Sequence, residues 1–171
     1  MILPTTVVGS YSVPEWLERL KTEYYQRRIS AQHLAEIHEV AIKAAVKDQE
    51  LAGIDIVSDG ELRRDNDVDY FLARIPGVHI PQRAKTDYFD YYDAEVTRPL
   101  PENPDSPDSP DGPDTTLELA RDFKFTRQLT QRPVKFSFTG PFSLSRRIRD
   151  GAYTEPGDLV RALARRLNAE A

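Results

Sequence analysis

Charged residues cluster directly after a short apolar run at positions 54–57. Carboxylates come from Asp59 and Glu61, and guanidinium groups come from Arg63 and Arg64. The apolar run is typical of a buried parallel strand, and α/β folds place their chemistry at the carboxyl ends of such strands. The cluster therefore predicts a functional site in which Glu61 is the central candidate. The alternative is a structural ion pair between Glu61 and one of the two arginines.

Polar or glycine-containing segments also follow three other predicted strands, at residues 4–8, 95–98 and 134–138. Because the carboxyl ends of parallel strands lie on one face of a sheet, all four segments are expected to share one site. The four strand ends are Gly9-Ser10, Asp59-Gly60-Glu61, Thr97-Arg98-Pro99 and Thr139-Gly140-Pro141.

Each of these positions also has a plain structural interpretation. Gly9 can simply permit a tight turn, and Ser10 can cap the helix that follows. Asp59 can orient a neighbouring group. Arg98 can pair with Glu95, and for Arg98 this structural pair is the favoured interpretation.

Helical patterns separate the predicted strands. The periodicity predicts helices over residues 15–25, 30–51, 67–74, 116–131 and 158–171, with Ser30 as an N-cap and Gly53 just past the end of the second helix. Residues 78–80 form a short β run. The aromatic run at residues 88–92 suggests a hairpin. Residues 99–114 are rich in Pro and Asp and are expected to form a solvated loop. Strands alternating with helices indicate βαβ units and a parallel sheet.

Four βα units amount to half of a TIM (β/α)8 barrel, which typically needs about 250 residues. We therefore expect residues 1–171 to form a single domain, the first half of such a barrel, incomplete at the C-terminus. Either the chain is a fragment, or a partner covers its open sheet edges.

Composition excludes several classes of function. The chain of 171 residues carries a formal net charge of -5, which argues against a nucleic-acid-binding surface. No apolar run approaches the roughly 20 residues that span a bilayer, and no signal peptide is recognisable. There is no Cys, and the three His show no metal-binding pattern. A soluble cytoplasmic protein with no tight zinc site of its own is expected.

Three stretches together give a specific resemblance. They are Pro4-Thr-Thr-Val-Val-Gly-Ser-Tyr, Gly53-Ile-Asp-Ile-Val-Ser-Asp-Gly-Glu followed by Arg64 and Tyr70-Phe71, and Pro133-Val-Lys-Phe-Ser-Phe-Thr-Gly-Pro. In this order the chain resembles the catalytic barrel of the cobalamin-independent methionine synthase family, including its shorter archaeal-type members. The fold that this implies is the uroporphyrinogen-decarboxylase/methionine-synthase-like barrel.

The resemblance implies transfer of a methyl group to the thiol of homocysteine, giving methionine. It implies that Val8, Gly9 and Ser10 hold the homocysteine carboxylate through backbone N–H groups and the Ser hydroxyl, and that Glu61 pairs with the ammonium group. Supporting positions, by their place at the strand ends, are Asp59, Arg64, Arg98 and Thr139.

A zinc ion that activates the thiol is also implied by the resemblance, with His, Cys, Glu and Cys ligands from the second half of the barrel. This sequence lacks those ligands, so the chain by itself is expected to be inactive. Folate-using members carry an Arg-Cys pair where this sequence has Glu95 and Val96, and a Trp where it has Arg147. A methylated corrinoid is therefore the preferred methyl donor, with methyltetrahydrofolate as the other candidate.

Two other functions compete with this one. A related barrel methyltransferase could act on a different thiol. A half-barrel could instead be a non-catalytic binding or assembly module, closing its sheet edges in a homo-oligomer or with a second half-barrel polypeptide.

Overall fold

A computed structural model describes residues 3–80, 93–101 and 117–171. Both helices and strands lie within these residues, and none of the helices there combines the length and apolarity needed to cross a bilayer. The helices are α1 (Glu15–Tyr25), α2 (Ala31–Leu51), α3 (Asp69–Leu72), α4 (Leu119–Gln128), α5 (Pro141–Ser145) and α6 (Pro156–Asn168), and the strands are β1 (Ala94–Val96) and β2 (Ile148–Asp150).

The first two helices have nearly the bounds that the sequence predicts. Pro14 is the N-cap residue of α1. Ser30 caps α2 because its side chain accepts the backbone N–H of His33 at 3.1 Å. Just past the end of α2, Gly53 has a φ of 78°, in the left-handed region where glycine is favoured.

The described residues fall into two compact units, and the first comprises residues 3–65 and 121–137. Parallel bridges join Thr6 to Ile56 and Val57 to Val134, so three of the predicted strands meet in this unit. Helix α2 buries one face against them, and α1 packs on α2. The buried core of this unit consists of Leu17, Ile37, Ala41, Ile42, Ala45, Val46, Val57 and Leu62.

The second unit comprises residues 66–80, 93–101, 117–120 and 138–171. Strand β1 pairs in parallel with β2, with Ala94 opposite Ile148. His79 adds an antiparallel bridge to Glu95. Helices α5 and α6 pack against each other, and buried side chains of this unit include Leu144, Leu159 and Leu163.

The predicted elements are longer than the observed ones in several places. The predicted strand at residues 54–57 forms two isolated bridges, through Ile56 and Val57, and the one at residues 134–138 forms one, through Val134. The helix predicted at residues 67–74 is reduced to α3. Strand β2 lies outside every predicted element, yet it is the partner of the third predicted strand. Side-chain periodicity reports which face of a strand is buried, whereas the choice of partner depends on residues distant in sequence.

The mixed α/β class is confirmed, but a barrel is not seen in the described residues. Closure of a barrel requires every strand to pair on both sides, and the pairing found here is confined to the short contacts above. The predicted aromatic hairpin at residues 88–92 and most of the predicted loop at residues 99–114 lie outside the described residues.

Candidate functional site

The loop at residues 59–65 has an unusual backbone. Gly60 and Glu61 are both left-handed, with φ angles of 68° and 59°. Non-glycine residues seldom adopt this conformation, and they cluster at functional sites when they do. Asp59 stabilises it, because its Oδ1 accepts the Glu61 backbone N–H at 2.9 Å. The backbone N–H of Arg64 then donates to the Glu61 carbonyl at 3.0 Å, which closes a tight turn.

The Glu61 carboxylate lies between two partners. Arg64 Nη1 is 3.3 Å from Oε2, and the Ser137 hydroxyl donates to Oε1 at 2.8 Å. The Glu61 side chain keeps 17% of its surface exposed, so a ligand can still approach it. Of the two arginines that sequence offered as ion-pair partners, Arg64 is the one in contact, whereas Arg63 pairs with Asp122 at 3.4 Å.

Asp59 is the most deeply buried carboxylate of the loop, with 4% of its surface exposed. Burial raises the pKa of Asp59 above its ordinary value, because the charged form loses hydration. The hydrogen bond from the Glu61 N–H and the charge of Arg64 oppose this shift without cancelling it. Asp59 therefore holds a proton more readily than an exposed aspartate does.

Within this unit the loop is in direct contact with the segment that follows the first predicted strand. The backbone N–H of Tyr11 donates to the Gly60 carbonyl at 2.9 Å. A Cβ atom added to Gly60 would lie 2.9 Å from the Tyr11 Cβ, so only glycine fits at this approach. The two strand ends that carry the predicted substrate-binding residues are thus held side by side.

The segment around Gly9 lines a cavity of about 600 Å³. Val8 in this segment is 91% exposed, Ser10 is also exposed, and Gly9 has a φ of 79°. Ser10 does not cap α1, because Pro14 occupies the N-cap position. The cavity is lined by residues Val7 to Ser12, Pro14, Trp16, Ala41, Ala44, Ala45, Asp48 and Leu62.

Two buried polar residues that shape the site were missed by sequence reasoning. Gln49 of α2 is bonded to both sides of Ser58: its Nε2 donates to the Ser58 carbonyl at 3.0 Å, and its Oε1 accepts the Ser58 N–H at 2.9 Å. Lys21 of α1 is fully buried and donates from Nζ to the Arg64 carbonyl at 2.6 Å. The available signal was a polar residue within the apolar stripe of an otherwise amphipathic helix.

The remaining predicted site residues belong to the second unit. Arg98 is exposed, and among the described residues it forms no ion pair with Glu95, contrary to the favoured structural interpretation. The Thr139 hydroxyl donates to the Asp67 carbonyl.

The side chains that the structure describes do not fit a zinc centre. In residues 3–80, 93–101 and 117–171 no group of three His, Cys, Asp or Glu side chains is placed to hold a metal ion. A tightly held zinc ion usually has three or four such ligands.

Residues 3–150 match the protein-family model described as "Cobalamin-independent synthase, Catalytic domain". The chain is 31% identical to a methionine synthase of Sulfurisphaera tokodaii, over 99% of this chain and 47% of the relative. It is 36% identical to a methionine synthase of Saccharolobus islandicus, over 99% of this chain and 48% of the relative. The chain thus spans about half the length of the curated relatives it matches.

Two solved structures also superpose on this chain. A B12-independent methionine synthase from Shewanella sp. W3-18-1, in complex with selenomethionine, superposes with a TM-score of 0.75 at 28% identity, over 99% of this chain and 47% of that one. A structure described as a putative vitamin-B12-independent methionine synthase from Listeria monocytogenes superposes with a TM-score of 0.66 at 22% identity, again over 99% and 47%, and supports the fold alone.

Proposed function

Because this chain belongs to the catalytic-domain family of the cobalamin-independent methionine synthases, we propose that it supplies the homocysteine-binding half of a methyltransferase barrel. The reaction proposed for the complete barrel is transfer of a methyl group to the homocysteine thiol, giving methionine. The chain covers 47% of the Shewanella structure, which supports its assignment as the first half of a TIM (β/α)8 barrel. That relative is in complex with selenomethionine, an amino acid that differs from the proposed product only in its chalcogen atom.

The observation that carries this proposal is the placement of Glu61. Its carboxylate lies at a strand end, partly exposed and fixed by Arg64 and Ser137. A carboxylate has about four lone-pair sites, so it can accept an ammonium N–H while keeping one of these partners. We propose that Glu61 binds the homocysteine ammonium group in this way.

The other end of the amino acid needs donors. Val8, Gly9 and Ser10 offer backbone N–H groups and a hydroxyl beside the cavity, and Tyr11 ties their segment to Gly60. These donors are proposed to bind the homocysteine carboxylate. In this scheme Arg64 and Asp59 position Glu61, and Arg98 and Thr139 stay predicted supporting residues of the second unit.

Activation of the thiol is assigned to residues outside this chain. When bound, zinc supplies the thiolate at neutral pH, but the described residues do not fit it. The chain by itself is therefore proposed to bind homocysteine without methylating it. The preferred methyl donor for the complete barrel is a methylated corrinoid, because Glu95 and Val96 replace the Arg-Cys pair of folate-using members.

Calorimetry with two ligands tests the role of Glu61. Homocysteine carries the ammonium group, and 4-sulfanylbutanoate is the same thiol without it. The unmodified chain is expected to bind homocysteine more tightly, and Glu61→Gln is expected to lose about tenfold in affinity for homocysteine only. Glu36→Gln, which changes an exposed carboxylate of α2, is the matched control. Equal binding of both ligands by the unmodified chain would contradict the proposal.

A second candidate function is an assembly module. Leu3 precedes the first predicted strand and is 79% exposed, and Val8 ends it and is 91% exposed. Among the described residues this strand bridges only Ile56. An open apolar strand edge favours pairing with another chain, in a homo-oligomer or with a second half-barrel. Light scattering tests this candidate, since a monomer at all concentrations would count against self-association.

A further inference from the structure

Lys21 is a buried charge that the proposed function has not used. It lies one helical turn after Leu17 on the inner face of α1, and both side chains are fully buried. A lysine at such a place usually extends its ammonium group to solvent. Here Nζ instead donates to the Arg64 carbonyl at 2.6 Å, inside the first unit.

Arg64 connects this lysine to the candidate site. Its backbone N–H donates to the Glu61 carbonyl, and its guanidinium lies 3.3 Å from the Glu61 carboxylate. The same guanidinium also donates to the Ser137 carbonyl and lies over the Phe136 ring, with 5.2 Å between the guanidinium carbon and the ring centroid. Lys21 thus contacts the backbone of the same residue whose side chain meets Glu61.

Burial of an ammonium group carries a large desolvation cost, and an apolar side chain of similar length fills such a place without it. The Lys21 ammonium group at this position therefore indicates a role other than filling space in the core. We infer that Lys21 is a positioning residue: through Arg64 it holds Glu61 in place for an amino-acid ligand. This inference rests on the proposed function, because the ligand it concerns is the amine-bearing thiol.

The consequence is selectivity between thiols. With Lys21 in place, the Arg64–Glu61 pair is fixed and an ammonium group meets a preorganised carboxylate. Without the lysine, Arg64 and Glu61 sample other positions, so the advantage of the amine is lost. A thiol that lacks the amine gains nothing from Glu61 and is unaffected.

The test compares Lys21→Met with Leu17→Ala in the 171-residue chain. Met keeps the length of the stem and removes the charge, whereas Leu17→Ala loosens the same helix without touching Arg64. Affinities for homocysteine and 4-sulfanylbutanoate are measured for both variants. Lys21→Met is expected to lower the preference for homocysteine about tenfold, while Leu17→Ala leaves the preference unchanged even if both affinities fall. An unchanged preference in Lys21→Met, or an equal loss in Leu17→Ala, overturns the inference.

A second measurement separates this inference from the proposed function. If the unmodified chain shows no preference for homocysteine, the proposed function fails, and the Arg64 Nε–Hε signal in nitrogen-15 NMR spectra decides the role of Lys21. Faster exchange of this proton with solvent in Lys21→Met, with no change in Leu17→Ala, supports positioning of Arg64 by Lys21. The same exchange rate in Lys21→Met and the unmodified chain overturns it.

Discussion

At the scale of single residues, Glu61 holds a backbone conformation that costs an L-residue roughly 1–2 kcal/mol. The surrounding contacts sustain it: Asp59 binds the Glu61 N–H, and Arg64 and Ser137 bind the side chain. Sequence could identify Glu61 and Arg64 as candidates because both follow a predicted strand. It could not give the contact from Ser137, which lies 76 positions further along the chain.

Gly60 is expected to tolerate no larger residue. In Gly60→Ala the new Cβ meets the Tyr11 Cβ at 2.9 Å and also needs an unfavourable φ, so the free energy of unfolding should fall by about 3 kcal/mol. Gly53→Ala is the matched control, because Gly53 shares the positive φ but has open space around it, and it should lose only about 1 kcal/mol. Urea unfolding measures both. Equal losses would mean that the contact with Tyr11 contributes nothing.

Asp59 is expected to make stability depend on pH. Because burial raises its pKa, the folded chain binds the Asp59 proton more tightly than the unfolded chain does. The contribution of Asp59 is therefore fully favourable below the ordinary aspartate pKa of 3.8, and stability is lost as the pH rises from there through the raised folded pKa.

Asp59→Asn removes this ionisation and keeps an oxygen that can accept the Glu61 N–H. Its free energy of unfolding, from urea titrations between pH 4 and pH 8, should exceed that of the unmodified chain increasingly towards high pH. A difference between the two chains that stays constant across this range would show that Asp59 titrates normally.

At the scale of elements, helix α2 does more than cover the sheet. Its N-cap at Ser30 and its end before Gly53 were readable from sequence, because capping is local chemistry. The bonds from Gln49 to Ser58, which fix the start of the site loop, were not readable in that way. They join α2 to the strand end that follows it, so they depend on tertiary packing.

Removal of this link should be costly. Gln49→Leu leaves the buried N–H and C=O of Ser58 without these partners, and we expect a loss of about 3 kcal/mol in the free energy of unfolding. Gln32→Leu, at an exposed position of the same helix, should change it by less than about 0.5 kcal/mol. Thermal or urea unfolding of the two variants provides the comparison. Similar stabilities would show that α2 does not hold the strand end through Gln49.

For the chain as a whole, the family was predictable because its short strand-end motifs are recognisable in this sequence. The pairing of the strands was less predictable. Val57 pairs with Val134. The strand predicted at residues 95–98 pairs with Ile148–Asp150, a segment with no clear strand pattern. Both pairings join residues more than 50 positions apart, where periodicity carries no information on the partner.

The two neighbouring strand ends of the first unit are proposed to bind one homocysteine molecule. Titration of the nitrogen-15-labelled chain with homocysteine tests it residue by residue. The backbone amide signals of Val8, Gly9 and Ser10 and of Gly60 and Glu61 are expected to shift together along a single saturating curve. Saturating shifts confined to other residues, or no shifts at millimolar homocysteine, would contradict it.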